Sequence, residues 1–188
     1  MSEEEAKKLS EKFTELTEIK CECTFMEKGN NHKPSTLRDN KCGVYVFLLS
    51  DKGVCFKVGK AGANSKMRWE SHHYRLDKKT PSTFTKSFLS DLDNFRKNFD
   101  NNERIEHFKQ TLKKYNIKDL KNDIKNIDIK KLNDDLNLES WIKNNIDRIE
   151  FIIPECDNGY GLNLLEALIQ FKFEPIYEGK MLKSAKHK

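Results

Sequence analysis

The chain has 188 residues, enough for one domain with a substantial core. It is very polar, 35% charged and 36% hydrophobic, and no apolar run approaches membrane-spanning length, while its 12 phenylalanines and recurrent leucines and isoleucines at helical spacing exclude a disordered chain. The net charge of +5 is a mild basic bias that suits a polyanionic partner, and equally a solvated surface rich in Lys and Asn.

Residues 2–18 read as a helix, with Ser2 and Glu5 in a capping-box pattern and Leu9, Phe13 and Leu16 along one face. The acidic start Ser2-Glu-Glu-Glu carries no secretory signal. Residues 27–41 read as a loop. A hairpin follows at 43–60, then a helix from about Ser65 to Leu76. Pro81-Ser82-Thr83 opens another helix, with Phe84, Phe88, Leu92 and Phe95 at helical spacing. From about 97 to 147 the composition shifts to Lys, Asn, Asp, Ile and Leu. Ile105, Phe108 and Leu112 predict one helix, Leu120, Ile124 and Ile127 a second, and Leu138, Trp141 and Ile142 a third. This stretch reads as an all-helical insertion. Arg148–Pro154 reads as a third strand, Leu162 to about Phe171 as a helix, and residues 178–188 as a basic tail. The expected fold is therefore α+β: a small three-stranded antiparallel sheet flanked by helices, with an N-terminal helix and loop over 1–42 and a main domain over 43–177.

Five cysteines, Cys21, Cys23, Cys42, Cys55 and Cys156, make an odd count with Cys55 inside a predicted strand, which points to reduced thiols and a cytoplasmic setting. Cys21-x-Cys23 with Cys42 lacks a second close pair and a well-spaced histidine, so no zinc site is expected.

The hairpin carries residues that a purely structural hairpin does not need. Alternation sets Val44, Val46 and Leu48 against Tyr45, Phe47 and Leu49 on the first strand. On the second it sets Val54, Phe56 and Val58 against Cys55, Lys57 and Gly59. A three-residue loop, Asp51-Lys52-Gly53 with Gly53 left-handed, joins the β-branched residues into one core face and puts Tyr45 and Lys57 together on the other. That second face is expected to meet solvent, with Gly59 leaving bare backbone for a ligand. Four residues apart, Arg68 and His72 fall on one side of the predicted helix. An arginine fork suits a phosphate, and a histidine exchanges protons near neutrality; an exposed Arg and a solvated His are the plainer interpretation. Glu166 shares a helix side with Leu162, Leu165 and Ile169, so its carboxylate needs either a lysine partner at the stripe's edge or a metal ion.

Taken in order, these pieces resemble the GIY-YIG nuclease family. Gly43-Val44-Tyr45 looks like the first half of the name motif, and Lys57-Val58-Gly59 like the second half with lysine for tyrosine. Arg68-Trp69-x-x-His72 resembles the family's arginine and proton-handling residue. Glu166, followed by Pro175 and Tyr177, resembles the helix with the family's metal-binding glutamate. The resemblance spans Gly43 to about Tyr177, interrupted by the helical insertion. Lysine at position 57 is similar to some restriction enzymes of the family. Glu178 stands where many members have asparagine, with Asn163 and Gln170 as candidate replacements.

The resemblance implies an endonuclease that hydrolyses DNA phosphodiesters with one divalent metal, of restriction or mobile-element type. Glu166 would hold Mg²⁺ (or Mn²⁺), Arg68 grip the scissile phosphate, and Tyr45 act as general base with His72 as proton acceptor or alternative base. Lys57 would lower the Tyr45 pKa or touch phosphate. Double-stranded DNA is the expected partner, with Lys60, Lys66, His73 and Lys86 on flanking phosphates, no membrane, and room for a homodimer. The rival interpretation is a catalytically weak or inactive nucleic-acid-binding module that keeps the fold, with Lys57 and Glu178 as signs of decay. A thiol enzyme using Cys55 lacks any neighbouring oxyanion motif.

Overall fold

The computed structural model describes residues 2–99, 103–117, 119–154 and 159–177. Cys156, Glu178 and the basic tail lie outside the described residues. In chain order the elements are α1 (Glu3–Thr17), β1 (Glu22–Met26), β2 (Lys41–Leu49), β3 (Val54–Ala61), α2 (Lys66–Glu70), α3 (Thr83–Ser90), α4 (Leu92–Asn98), α5 (Glu103–Lys114), α6 (Leu120–Asp123), α7 (Ile129–Leu136), α8 (Leu138–Asn145), β4 (Asp147–Pro154) and α9 (Tyr160–Phe173). The protein is α+β. It divides into two compact units, one built from the chain up to Glu70 and from Lys143 onward, the other from Ser71–Ile142. The helical unit thus starts well before the insertion expected at 97, and the N-terminal residues belong to the same unit as the hairpin.

The first unit holds a four-stranded antiparallel sheet in the order β1-β4-β2-β3. This corrects the expected three strands. Strand β1 is short, at the sheet edge and alternately exposed, so it lacks a strong apolar signal; its partner β4 lies more than a hundred residues away in sequence. Helix α1 starts at the expected capping box: the Ser2 hydroxyl accepts from the Glu5 amide at 3.3 Å, and Glu5 accepts from the Ser2 amide at 2.9 Å. Its inner face is Ala6, Ser10 and Phe13, while Leu16, expected on that face, is 78% exposed. Side chains of α1 and α9 close one face of the sheet over Cys42, Val44, Val46, Leu48, Val58, Ile149, Phe151 and Ile153.

The hairpin register is the expected one where it matters. Phe47 stands opposite Lys57 and Tyr45 opposite Gly59. It is reached differently: a helical turn at Ser50–Lys52 and Gly53 at φ 64° make a longer loop, and a bulge beyond Phe47 restores the pairing. The bulge moves Cys55 onto the aliphatic face, where it is 5% exposed in the core rather than beside Lys57. Among the described residues, Cys21, Cys23, Cys42 and Cys55 form no disulfide.

The second unit packs short helices around aromatic rings. Phe88 lies 4.2 Å from Phe95 and 4.7 Å from Trp141, centroid to centroid. Helix α7 is an element that composition alone did not single out. It starts on the Asp128 side chain, which accepts from the Lys131 amide at 3.0 Å, and buries Leu132 and Leu136.

Candidate active site

The opposite face of the sheet was expected to meet solvent; instead it is buried. Across β2 and β4, Tyr45 pairs with Glu150 and Phe47 with Arg148, so these four side chains share the face with Lys57. Tyr45, Phe47, Arg148 and Glu150 are each 0% exposed. Trp69 of α2, also fully buried, covers them, its ring 5.9 Å from that of Tyr45 and at 77° to it. The two glycines make this closure fit. A methyl group at Gly43 would stand 2.8 Å from the Trp69 ring, and one at Gly59 would stand 2.6 Å from Cζ of Tyr45 and closer still to its hydroxyl.

Tyr45 therefore lies across bare Gly59 on the edge strand β3, and its hydroxyl ends where three other elements deliver charge. From α2, Arg68 brings Nε to 3.5 Å of the phenol oxygen, at the long limit of a hydrogen bond. From α9, the half-buried Glu166 reaches the Nζ of Lys60, the residue after Gly59, at 2.7 Å. The same ammonium donates to Asn163 Oδ1 at 2.6 Å, one turn earlier on α9. Burial pushes the Tyr45 pKa above the usual phenol value; Arg68 and Arg148 pull it partly back, and Glu166 adds to the rise. Glu166 also acts electrostatically on Arg68.

Lys57 is half-buried on the Tyr45 face, two pairs further along the ladder, opposite Phe47. Helix α2 stops at Glu70, not near Leu76, so His72 sits in the turn that follows and belongs to the helical unit, its ring centroid 5.5 Å from that of His73. The helical spacing that was to stack His72 on Arg68 is absent. His73 is 3% exposed against Phe84, a packing residue rather than a phosphate contact. Lys60 is engaged by Glu166 and Asn163 instead of lying free on the flank. Lys66 is exposed and paired with Asp39 at 2.9 Å, and Lys86 is half-buried on α3.

Sequence reasoning passed over Arg148, Glu150, Ser35 and Trp69, which build the covered face. The signal was there in Arg148-Ile-Glu150-Phe-Ile-Ile: two charges at period two inside an apolar strand. Among the described residues no group of three or more His, Cys, Asp or Glu converges to hold a metal ion, and no helix is long and apolar enough to cross a membrane. No family model, no curated protein and no solved structure matches this chain.

Proposed function

We propose that the protein is a GIY-YIG-type endonuclease that hydrolyses DNA phosphodiesters with a divalent metal. One observation carries the reading. A phenol, a guanidinium and a carboxylate from β2, α2 and α9, far apart in sequence, approach one bare stretch of the β3 edge. Phosphodiester cleavage asks for positive charge on the phosphate, a proton acceptor and a cation.

The donor set suits Mg²⁺. Glu166 and Asn163 already place two oxygens around one ammonium, and Mg²⁺ commonly takes one carboxylate, with waters and phosphate oxygens completing its shell. Glu166 would hold the ion, with Lys60 displaced toward the incoming phosphate. The ion, when bound, screens the phosphate and assists the leaving oxygen. Arg68, exposed and fixed beside the phenol, grips the scissile phosphate. Tyr45, whose hydroxyl is closed from solvent beside Arg68, would take the proton of the attacking water once phosphate binding draws Arg68 off it. Because burial raises its pKa, the reactive phenolate is scarce at neutral pH, and the cleavage rate should climb with pH from 7 to 9 without a plateau.

The second reading, a nucleic-acid-binding module without turnover, is favoured by one feature. Lys60 already neutralises the carboxylate that a metal needs. Nicking of supercoiled plasmid in Mg²⁺ separates the two. The nuclease reading expects nicking by the wild type and none by Glu166→Ala; intact DNA binding with nicking by neither favours the module.

A further inference from the structure

Helix α2 carries Arg68 but has only five residues, too few to persist by its own hydrogen bonds. It is held through Trp69. The Trp69 carbonyl accepts from Nη2 of Arg148 at 2.7 Å, and the same nitrogen pairs with Glu150 Oε1 at 2.8 Å. Glu150 accepts from the Ser35 amide at 3.3 Å to each oxygen, and from the Ser35 hydroxyl. The Trp69 indole in turn donates to Ser35 Oγ at 3.3 Å, which closes the circuit. The Arg148 guanidinium lies 5.4, 5.4 and 5.3 Å from the ring centroids of Tyr45, Phe47 and Trp69.

A fully buried ion pair is a poor way to gain stability, since apolar residues of like volume serve as well or better. What charge adds is direction. An aliphatic filler would leave Trp69 free to slide, whereas a guanidinium fork and a carboxylate fix both its carbonyl and its indole. We propose that Arg148 and Glu150 are positioning residues: a dry charge latch that clamps Trp69 and thereby holds the preceding Arg68 against the phenol of Tyr45. The proposal rests on the nuclease reading for the importance of Arg68, but not for the clamp itself.

The test uses the full chain labelled with 5-fluorotryptophan, which gives two resonances, from Trp69 and Trp141, assigned with Trp141→Phe. Arg148→Met alone strands a buried carboxylate and can fail to fold. The double variant Arg148→Met/Glu150→Gln strands no charge and keeps an acceptor for Ser35, so it removes the ion pair, the guanidinium's grip on the Trp69 carbonyl and its contacts with the three rings, while the Ser35 bond to the indole stays. In this variant the Trp141 line should be unchanged and the Trp69 line shifted and broadened. Plasmid nicking should fall about tenfold to a hundredfold in kcat with KM unchanged, the scale expected for a small misplacement of a catalytic group. A sharp wild-type Trp69 line in the folded double variant overturns the latch. Unfolding of the double variant does so too, because the pair would then serve the fold alone. If the wild type does not nick DNA, the nuclease reading fails, and the Trp69 line still decides the latch.

Discussion

One face of the sheet, lined by Val44, Val46, Leu48, Val58, Ile149 and Phe151, is closed by α1 and α9 with apolar side chains. The other, lined by Tyr45, Phe47, Arg148 and Glu150, is closed by Trp69 and the Ser35 segment around an ion pair. Both are dry. The first is held by area removed from water, which is indifferent to angle. The second is held by groups that each need a particular partner, which costs more to break and fixes orientation. Strand alternation decides which residues share a face; it does not decide whether that face meets water.

The largest expected difference between the faces is in how damage is repaired. Arg148→Met should destabilise by about 3–5 kcal/mol, because it leaves Glu150 charged and dry. Adding Glu150→Gln should recover much of that loss in urea denaturation. Leu165→Ala on the aliphatic face should cost about 2–5 kcal/mol as a cavity, with no single partner whose change restores it. Equal recovery on both faces would erase the distinction.

Arg68→Ala should lower turnover about 10²–10³-fold, the scale for losing one transition-state donor, with stability within about 0.5 kcal/mol because the side chain is exposed. A matching collapse in stability would make Arg68 part of the closure instead of part of the site.

Acid should loosen the polar face. His32 is buried against Phe47, with Nδ1 2.6 Å from the Ile146 carbonyl, which can only accept, so Nδ1 carries the proton of a neutral ring. Burial lowers its pKa to about 4, with the bond to Ile146 opposing. The unfolded chain then binds a proton that the folded one refuses between the ordinary histidine pKa near 6.5 and about 4. Stability should fall by about 3 kcal/mol as pH drops through that window, and His32→Asn should flatten the dependence. An unchanged slope in that variant would assign the acid sensitivity elsewhere.

The smallest contrast is between two glycines three residues apart. Gly59→Ala drives a methyl into Tyr45 and should cost about 1–3 kcal/mol, whereas Gly62→Ala meets open space and should stay within about 0.5 kcal/mol. Similar losses at both would remove the close approach of Tyr45 to β3.

The hairpin, its shared Tyr45–Lys57 face and the carboxylate on the apolar side of α9 were legible because period-two and helical patterns are local. Strand β1 was not, because its pairing with β4 depends on a partner distant in sequence. The dryness of the Tyr45 face was hidden for the same reason. It is made by Trp69 and Ser35, which only the folded chain brings to Glu150 and Arg148. The early end of α2 at Glu70, which leaves His72 in a turn at 71–74 and not on the helix, follows no helix-breaking residue before it.

That the phenol, the guanidinium and the carboxylate serve one ligand is tested most directly by titrating Mn²⁺ into protein labelled with ¹³C-tyrosine and ¹⁵N-arginine. The account predicts saturable paramagnetic broadening of the Tyr45 ring, the Arg68 Nε and the Gly59 amide, abolished by Glu166→Gln. Absence of saturable broadening there, or broadening that survives Glu166→Gln, would contradict it.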